Sequence, residues 1–342
     1  MRDVTMGDRR HNTILIKIGG SLLNYDYDVI KEVIKKIIQL SLSVRVIIMI
    51  GSGPLGEYYK RITQRLKIST RKEEVSGDGK WWNDKSIWTE IQKINLQILA
   101  IGIAKEAQNY RQQGTEVRVT LVGKEEHPQF SCEKDSKETS PGDEYNWDKN
   151  ISWKDLRSIL EEEEKDTERE DSHGGIFLCL PQEDFLEQKW KKYKGEYKNN
   201  SLVYELLDKV SPQKSDMKAV IYASDLGIAT VIILTNVDGI YSEDPLIHND
   251  ALRFNVLFCD LPTERPKNGK DESEILNKET CVNRGVAHLI SLGKVENVYV
   301  TSHRLFSKID FPEKDTTSIA TQIREFFIKN GTWLLKNTRT QS

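Results

Sequence analysis

Two short apolar runs, each stopped by glycine, constrain this chain more than anything else in it. Residues 13–18 (TILIKI) end in Gly19-Gly20-Ser21, and residues 44–50 (VRVIIMI) end in Gly51-Ser52-Gly53-Pro54. Between them, residues 27–40 carry apolar side chains at Val29, Ile30, Val33, Ile34, Ile37 and Ile38, a helical period. Strand, helix, strand at this spacing is a βαβ unit. Runs that are apolar at nearly every position must be covered on both faces, as the strands of a parallel sheet are. The expected architecture is therefore a three-layer αβα sandwich around a mainly parallel central sheet.

The same alternation continues. Helical patterns are predicted over 87–106, 216–226, 278–291 and 318–329, and strands over 117–122, 175–180 (GIFLCL), 230–234 (TVIIL) and 298–300. From 124 to 173 the character changes. Aliphatics thin out and the acidic run Glu161 to Glu164 appears, so this stretch reads as a charged insertion, part helix and part disorder. The tail after Asn330 is expected to be loosely held, with Trp333 and Leu334 able to pin part of it.

Composition excludes several classes. Lys and Arg number 50 against 53 Asp and Glu, a net charge of −3, which lacks the cationic excess of a nucleic-acid binder. No apolar run approaches the about 20 residues that span a bilayer, so no membrane partner is expected. The four cysteines, Cys132, Cys179, Cys259 and Cys281, are dispersed without a Cys-x-x-Cys pair, which argues against zinc and for free thiols in a reducing compartment, the cytoplasm. The histidines His248, His288 and His303 are scattered and suggest no metal site.

The glycine turns admit two readings. Gly19-Gly20 and Gly51-Ser52-Gly53 are adequate βα connections. They are also places where backbone N–H groups can approach an anion, at the strand ends where ligands of α/β sheets collect, with Lys17 at the same edge. Gly51, Gly53 and Gly56 match the dinucleotide spacing. The adjoining residues 57–77, EYYKRITQRLKISTRKEEVSG, put Glu73 and Glu74 in a polar stretch rather than at a strand end, and the motif sits in the second βα unit. No Gly-x4-Gly-Lys-Ser/Thr run occurs, which excludes an ordinary P-loop.

The second half is more specific. Ser215-Asp216-Met217 opens a helix, and Leu234-Thr235-Asn236-Val237-Asp238-Gly239-Ile240-Tyr241-Ser242-Glu243-Asp244-Pro245 comes at the end of the next strand. Together with Ile16-Lys17-Ile18-Gly19-Gly20-Ser21, these segments resemble the amino acid kinase superfamily, nearest its uridylate kinase and molybdenum storage branches. The resemblance covers 13–122 and 174–328. It implies a kinase that moves the γ-phosphoryl group of ATP, with Mg²⁺, to a small anionic acceptor, UMP first among the candidates. It implies a homo-oligomer, dimer or hexamer, with an acceptor-binding and oligomerisation half at 13–122 and a nucleotide-binding half at 174–328. The branches also leave open a molybdenum or tungsten storage oligomer and a regulatory protein that binds the nucleotide without turnover.

The resemblance further implies roles. Lys17 would contact the transferring phosphates, with Gly19 and Gly20 as backbone donors and Gly53 near the nucleotide. Gly51, Ser52 and Ser215 would line the acceptor side. Asp216 would organise the site by orienting Lys17 or magnesium, and Thr235, Tyr241 and Asp244 would hold adenine and ribose. On the residues alone, Asp216 also suits a helix N-terminus, Asp238-Gly239 a plain turn, and Lys278 a solvated helix face. The acceptor side departs from the uridylate kinase pattern: Glu57 stands where those enzymes carry Arg, their Met-Gly-Met-Leu helix core has no match in WWNDKSIWTEIQKINLQ, and Trp81, Trp82 and Trp88 are aromatic instead.

Overall fold

The computed structural model describes residues 10–20, 22, 27–51, 84–122, 150–162, 175–180, 183–208, 210, 214–259, 282–283, 285–311 and 316–336. Expectations for Ser21, Ser52, Gly53, Glu57, Trp81, Trp82, Cys132, Lys278 and Cys281 lie outside these residues.

In chain order the elements are β1 (Arg10–Ile18), α1 (Tyr27–Ser41), β2 (Arg45–Ile50), α2 (Asp84–Gln112), β3 (Val119–Val122), β4 (Asn150–Ile151), α3 (Trp153–Glu162), β5 (Gly175–Cys179), α4 (Glu183–Glu196), α5 (Ser201–Asp208) and α6 (Ser215–Asp225). After these come β6 (Ile228–Thr235), β7 (Val256–Cys259), α7 (Gly285–Ser291), β8 (Asn297–Ser302), α8 (His303–Phe306), α9 (Thr316–Asn330) and β9 (Thr332–Lys336). The strands form one nine-stranded sheet in the order β4-β3-β5-β2-β1-β6-β8-β9-β7. Neighbours run parallel except β8 and β9, which are antiparallel.

Strand alternation divides the core into two layers, as a doubly covered sheet requires. Ile14, Ile16 and Ile18 of β1, with Val46, Ile48 and Ile50 of β2, pack against Val33, Ile37 and Ile38 of α1, Leu99 and Ile103 of α2 and Phe327 of α9. Leu15 of β1, Ile47 and Met49 of β2 and Ile233 of β6 pack on the opposite face, against α3, α4, α5, α6 and α7. Lys17 lies two residues beyond Leu15 and so belongs to this second face, the one that carries α6. The three-layer αβα sandwich expected from the apolar strands is the fold observed.

The stretch read as a charged insertion contributes ordered structure where it is described. β4 pairs with β3 at the sheet edge, and α3 buries Leu156 and Leu160 in the main core. Trp153 stacks on Tyr222 of α6 with ring centroids 4.2 Å apart, and its indole N–H donates to the Leu180 carbonyl at 3.1 Å. Arg157 of α3 and Lys189 of α4 both bond the Asp225 carboxylate at the far end of α6. Glu161 is exposed, in keeping with a solvated helix face.

The tail is pinned at Trp333 and Leu334, as expected, and within a strand. Residues 332–336 form β9, with Thr332 and Leu334 fully buried and the Trp333 indole N–H donating to Asn297 Oδ1 at 3.1 Å. Buried apolar contact and two ladders hold what composition alone left loose. Among the described residues no helix is long and apolar enough to cross a membrane.

Candidate functional site

The ladder register sets the site. Ile18 pairs with Ile50 on one side and with Leu234 on the other, and Thr235 pairs with Ser302, so β1, β2, β6 and β8 end at one level. Gly19, Gly51, Thr235 and His303 therefore leave the sheet side by side at its carboxyl edge, where α6 begins. Two glycine amides extend the ladders by one rung: Gly19 N–H donates to the Leu234 carbonyl at 2.8 Å and Gly51 N–H to the Ile18 carbonyl at 2.9 Å. This corrects one expectation, because the Gly19 amide is committed to the sheet and is not a donor for a ligand. The Gly20 amide lies beside Gly51 at this edge.

Close approach explains Gly51. A Cβ there would stand 3.3 Å from Gly20 N and 3.3 Å from Ser215 Oγ, so the two glycine loops and the start of α6 meet at one point. The Gly51 carbonyl accepts from the Asn95 side-chain amide at 3.0 Å. Asn95 is buried in α2 and was not singled out from the sequence; its signal is an amide, one of two with Gln97, inside the otherwise apolar stretch INLQILAIGI.

Lys17 and Asp216 are both buried and face each other, Nζ to Oδ1 at 3.8 Å. That distance is too long for a hydrogen bond, yet close enough for strong attraction. Asp216 does not cap its own helix. Lys214, extended at φ −69° and ψ 138°, precedes α6 without a side-chain cap bond, and Asp216 Oδ2 reaches out to accept the Asn283 backbone N–H at 2.7 Å. Ser215 Oγ donates to Asp216 Oδ1 at 3.4 Å.

The loop after β6 is built to hold its shape. Thr235 Oγ1 accepts the Val237 N–H at 3.0 Å and donates to the Val237 carbonyl at 3.1 Å. Tyr241 bridges to Arg253 across the loop. Asp244 Oδ1 accepts the Leu246 N–H at 2.9 Å, and the Asp244 carbonyl accepts from Ile247 and His248. Gly239, at φ 153°, has Thr332 Oγ1 of β9 only 2.6 Å from where a Cβ would sit, and that hydroxyl accepts the Ile240 N–H at 2.8 Å. The tail strand thus anchors this loop, and Asp238-Gly239 is a turn with a steric reason for its glycine. Thr235 lies at the level of Lys17's strand end, whereas Tyr241 and Asp244 lie farther along the loop.

His303 is the residue sequence reasoning set aside. It is fully buried at the end of β8, and burial, followed by the nearby Lys17 charge, pushes its pKa down to about 3. The folded chain keeps this ring neutral, whereas the unfolded chain protonates it below its usual 6.5. Its contribution to stability is therefore complete above 6.5 and declines as pH falls from there toward about 3. At pH 5 the loss is about 2 kcal/mol. Urea unfolding at pH 7 and pH 5 should show this loss in the wild type, reduced by about that amount in His303→Leu; equal acid sensitivity in both proteins would disprove it.

The Amino acid kinase family profile matches residues 12–139 and 204–272. Among solved structures, a UMP kinase from Bacillus anthracis is similar at TM-score 0.49 and 14% identity over 96% of this chain and 97% of that one. A uridylate kinase from Archaeoglobus fulgidus is similar at TM-score 0.46 and 15% identity over 94% and 99%. An isopentenyl phosphate kinase is similar at TM-score 0.45 and 14% identity over 94% and 99%. No curated protein matches the sequence.

Proposed function

Because the chain belongs to the amino acid kinase family, and so to a family of phosphotransferases, we propose that it transfers the γ-phosphoryl group of ATP to a small anionic acceptor, UMP being the first to test. The observation that carries this reading is the buried Lys17–Asp216 pair at 3.8 Å, set where Gly20, Gly51 and Ser215 meet.

Phosphoryl transfer asks for in-line positioning and neutralised equatorial charge more than for covalent chemistry. In this reading the Lys17 ammonium neutralises charge on the transferring group, and the Gly20 amide donates to it. Gly51 and Ser215 border the acceptor, and Thr235, Tyr241 and Asp244 line the path to the nucleoside end of ATP. Asp216 orients Lys17 through Oδ1. An acceptor phosphate or carboxylate is already ionised near neutral pH and needs no general base, which suits a site where His303 is held neutral.

Among the described residues no cluster of three or more His, Cys, Asp or Glu could hold a metal by itself. Mg²⁺ commonly takes one or two carboxylates plus substrate phosphates, and Asp216 Oδ1 fits the single carboxylate of such a set. When bound there, Mg²⁺ would supply further neutralisation of phosphate charge. Residues 13–122 serve the acceptor and oligomer contacts, and 174–328 the nucleotide.

An oligomer is supported by α2, which exposes Ile94, Ile98 and Ile101, a helical stripe of apolar side chains. Sedimentation at the mass of one chain, 39.4 kDa, would remove this part of the proposal. Buried thiols at Cys179 and Cys259, neither in a disulfide, suit the cytoplasm.

The test is ADP release from Mg·ATP with a panel of acceptors: UMP, other nucleoside monophosphates, isopentenyl phosphate, aspartate and glutamate. Acceptor-dependent ADP formation is expected. Tight ATP binding with no acceptor phosphorylated would overturn the kinase reading.

A further inference from the structure

The two oxygens of the Asp216 carboxylate are treated differently by the fold. Oδ2 accepts the Asn283 backbone N–H at 2.7 Å. Oδ1 meets only longer contacts among the described residues, 3.4 Å to Ser215 Oγ and 3.8 Å to Lys17 Nζ. A carboxylate and an ammonium this close, both buried, would ordinarily close to a hydrogen-bonded pair of about 2.8 Å. The bond to Asn283 opposes that closure, because swinging Oδ1 onto Lys17 would pull Oδ2 off its donor.

Asn283 is itself tied down. Its side-chain Oδ1 accepts the Gly285 N–H at 2.9 Å, and its carbonyl accepts the Val286 N–H at 2.9 Å, so the residue forms a closed turn at the entry to α7. That turn is pressed onto α6. A Cβ at Gly285 would stand 2.2 Å from Val210 Cγ1 and 2.6 Å from Met217 Sδ, and Met217 is the neighbour of Asp216. Any side chain at 285 would move the Asn283 amide away from the carboxylate.

We infer that Asn283 is a positioning residue for phosphoryl transfer: it tethers Asp216 Oδ2 and so keeps the carboxylate from collapsing onto Lys17, leaving the ammonium free for phosphate. This rests on the reading of Lys17 and Asp216 given under the proposed function. Without the tether Lys17 is neutralised by its neighbour, and the transferring group loses the charge it needs. The loss falls on the chemical step more than on nucleotide binding.

The experiment compares Asn283→Ala, Asn283→Ser and Gly285→Ala with wild type in kcat and in KM for ATP, using the best acceptor of the panel and working well below each variant's melting temperature. Asn283→Ala and Gly285→Ala should lower kcat about tenfold or more while KM for ATP stays within about threefold. Asn283→Ser, whose hydroxyl can still accept the Gly285 N–H, should recover most of the rate. Placed on Asp216→Asn, Asn283→Ala should cost little further, because both act on one carboxylate.

Wild-type kcat in Asn283→Ala, equal losses in the Ala and Ser variants, or full additivity with Asp216→Asn would each overturn the inference. If the wild type turns over no acceptor, the kinase reading fails first, and the same double-mutant cycle is then read on Mg·AMPPNP affinity by calorimetry. Non-additive losses there uphold the tether, and additive losses reject it.

Discussion

Lys17→Ala should lower the rate of acceptor phosphorylation about 10³-fold, equivalent to about 4 kcal/mol of transition-state stabilisation. The size comes from where the ammonium sits. It is buried at the end of β1, on the face that carries α6, and the only carboxylate paired with it among the described residues stands 3.8 Å away. In a site shielded from water a fixed positive charge is worth more than in bulk solvent, because no solvent reorganises to replace it. The substitution should leave the fold standing, since Asp216 keeps its bond from Asn283 and a proximal hydroxyl at Ser215. Circular dichroism and the melting temperature check that condition, and coupled ADP release checks the rate. A variant within tenfold of wild type would mean that Lys17 does not touch the transferring phosphate.

Tyr222→Ala should destabilise the chain by about 4 kcal/mol, at the upper end for a single core truncation. Tyr222 is fully buried on α6, stacked against Trp153 of α3 at 4.2 Å and against Phe185 of α4 at 4.9 Å. Removing the ring leaves a cavity between three helices that are also joined by Arg157 and Lys189 on Asp225. Against a total stability of roughly 5–15 kcal/mol this is a large fraction. The urea midpoint, followed by tryptophan fluorescence, measures it. A shift worth less than about 1 kcal/mol would show that α3 is only laid on the surface of the domain. The outcome bears on function as well, because α6 carries Asp216 at its other end.

Both predictions combine what the residues declare with what folding assembles. Lys17, Asp216 and the glycines were legible because their chemistry is unusual in context: a lysine ending an apolar strand, glycines at two strand ends, an acid opening an apolar helix. Their separate roles were not legible. Gly19 and Gly20 are the same residue type side by side, and only the bond from the Gly19 amide to the Leu234 carbonyl commits it to the sheet. Asn95 and Asn283 reach the site across sequence separations of 44 and 67 residues, and nothing local marks an asparagine for such a contact. His303 looked like one of several scattered histidines until β8 took its place beside β6.

The segment from 124 to 173 was legible only in part. Its charge marked an insertion, part helix and part disorder, but not that Trp153, Leu156 and Leu160 recur on one face of a helix and that this face is buried. Amphipathic spacing carries more structural information than mean composition in a charged stretch. Short strands such as β4, β7 and β9 escaped for another reason: with two to five residues each they have too little pattern to announce themselves.

From its residues alone the chain determined a sheet covered on both faces, because strands apolar on both sides have no other stable environment in water. It also determined the chemical inventory of the site, since a lysine, an aspartate and adjoining glycines at strand ends are set by sequence. Tertiary structure decided which amides remain free, which oxygen of Asp216 is tethered, and how α3 braces α6. Those depend on register and on the approach of elements far apart in the chain, where hydrogen bonds act over about 3 Å and distances are set only when the whole core has packed.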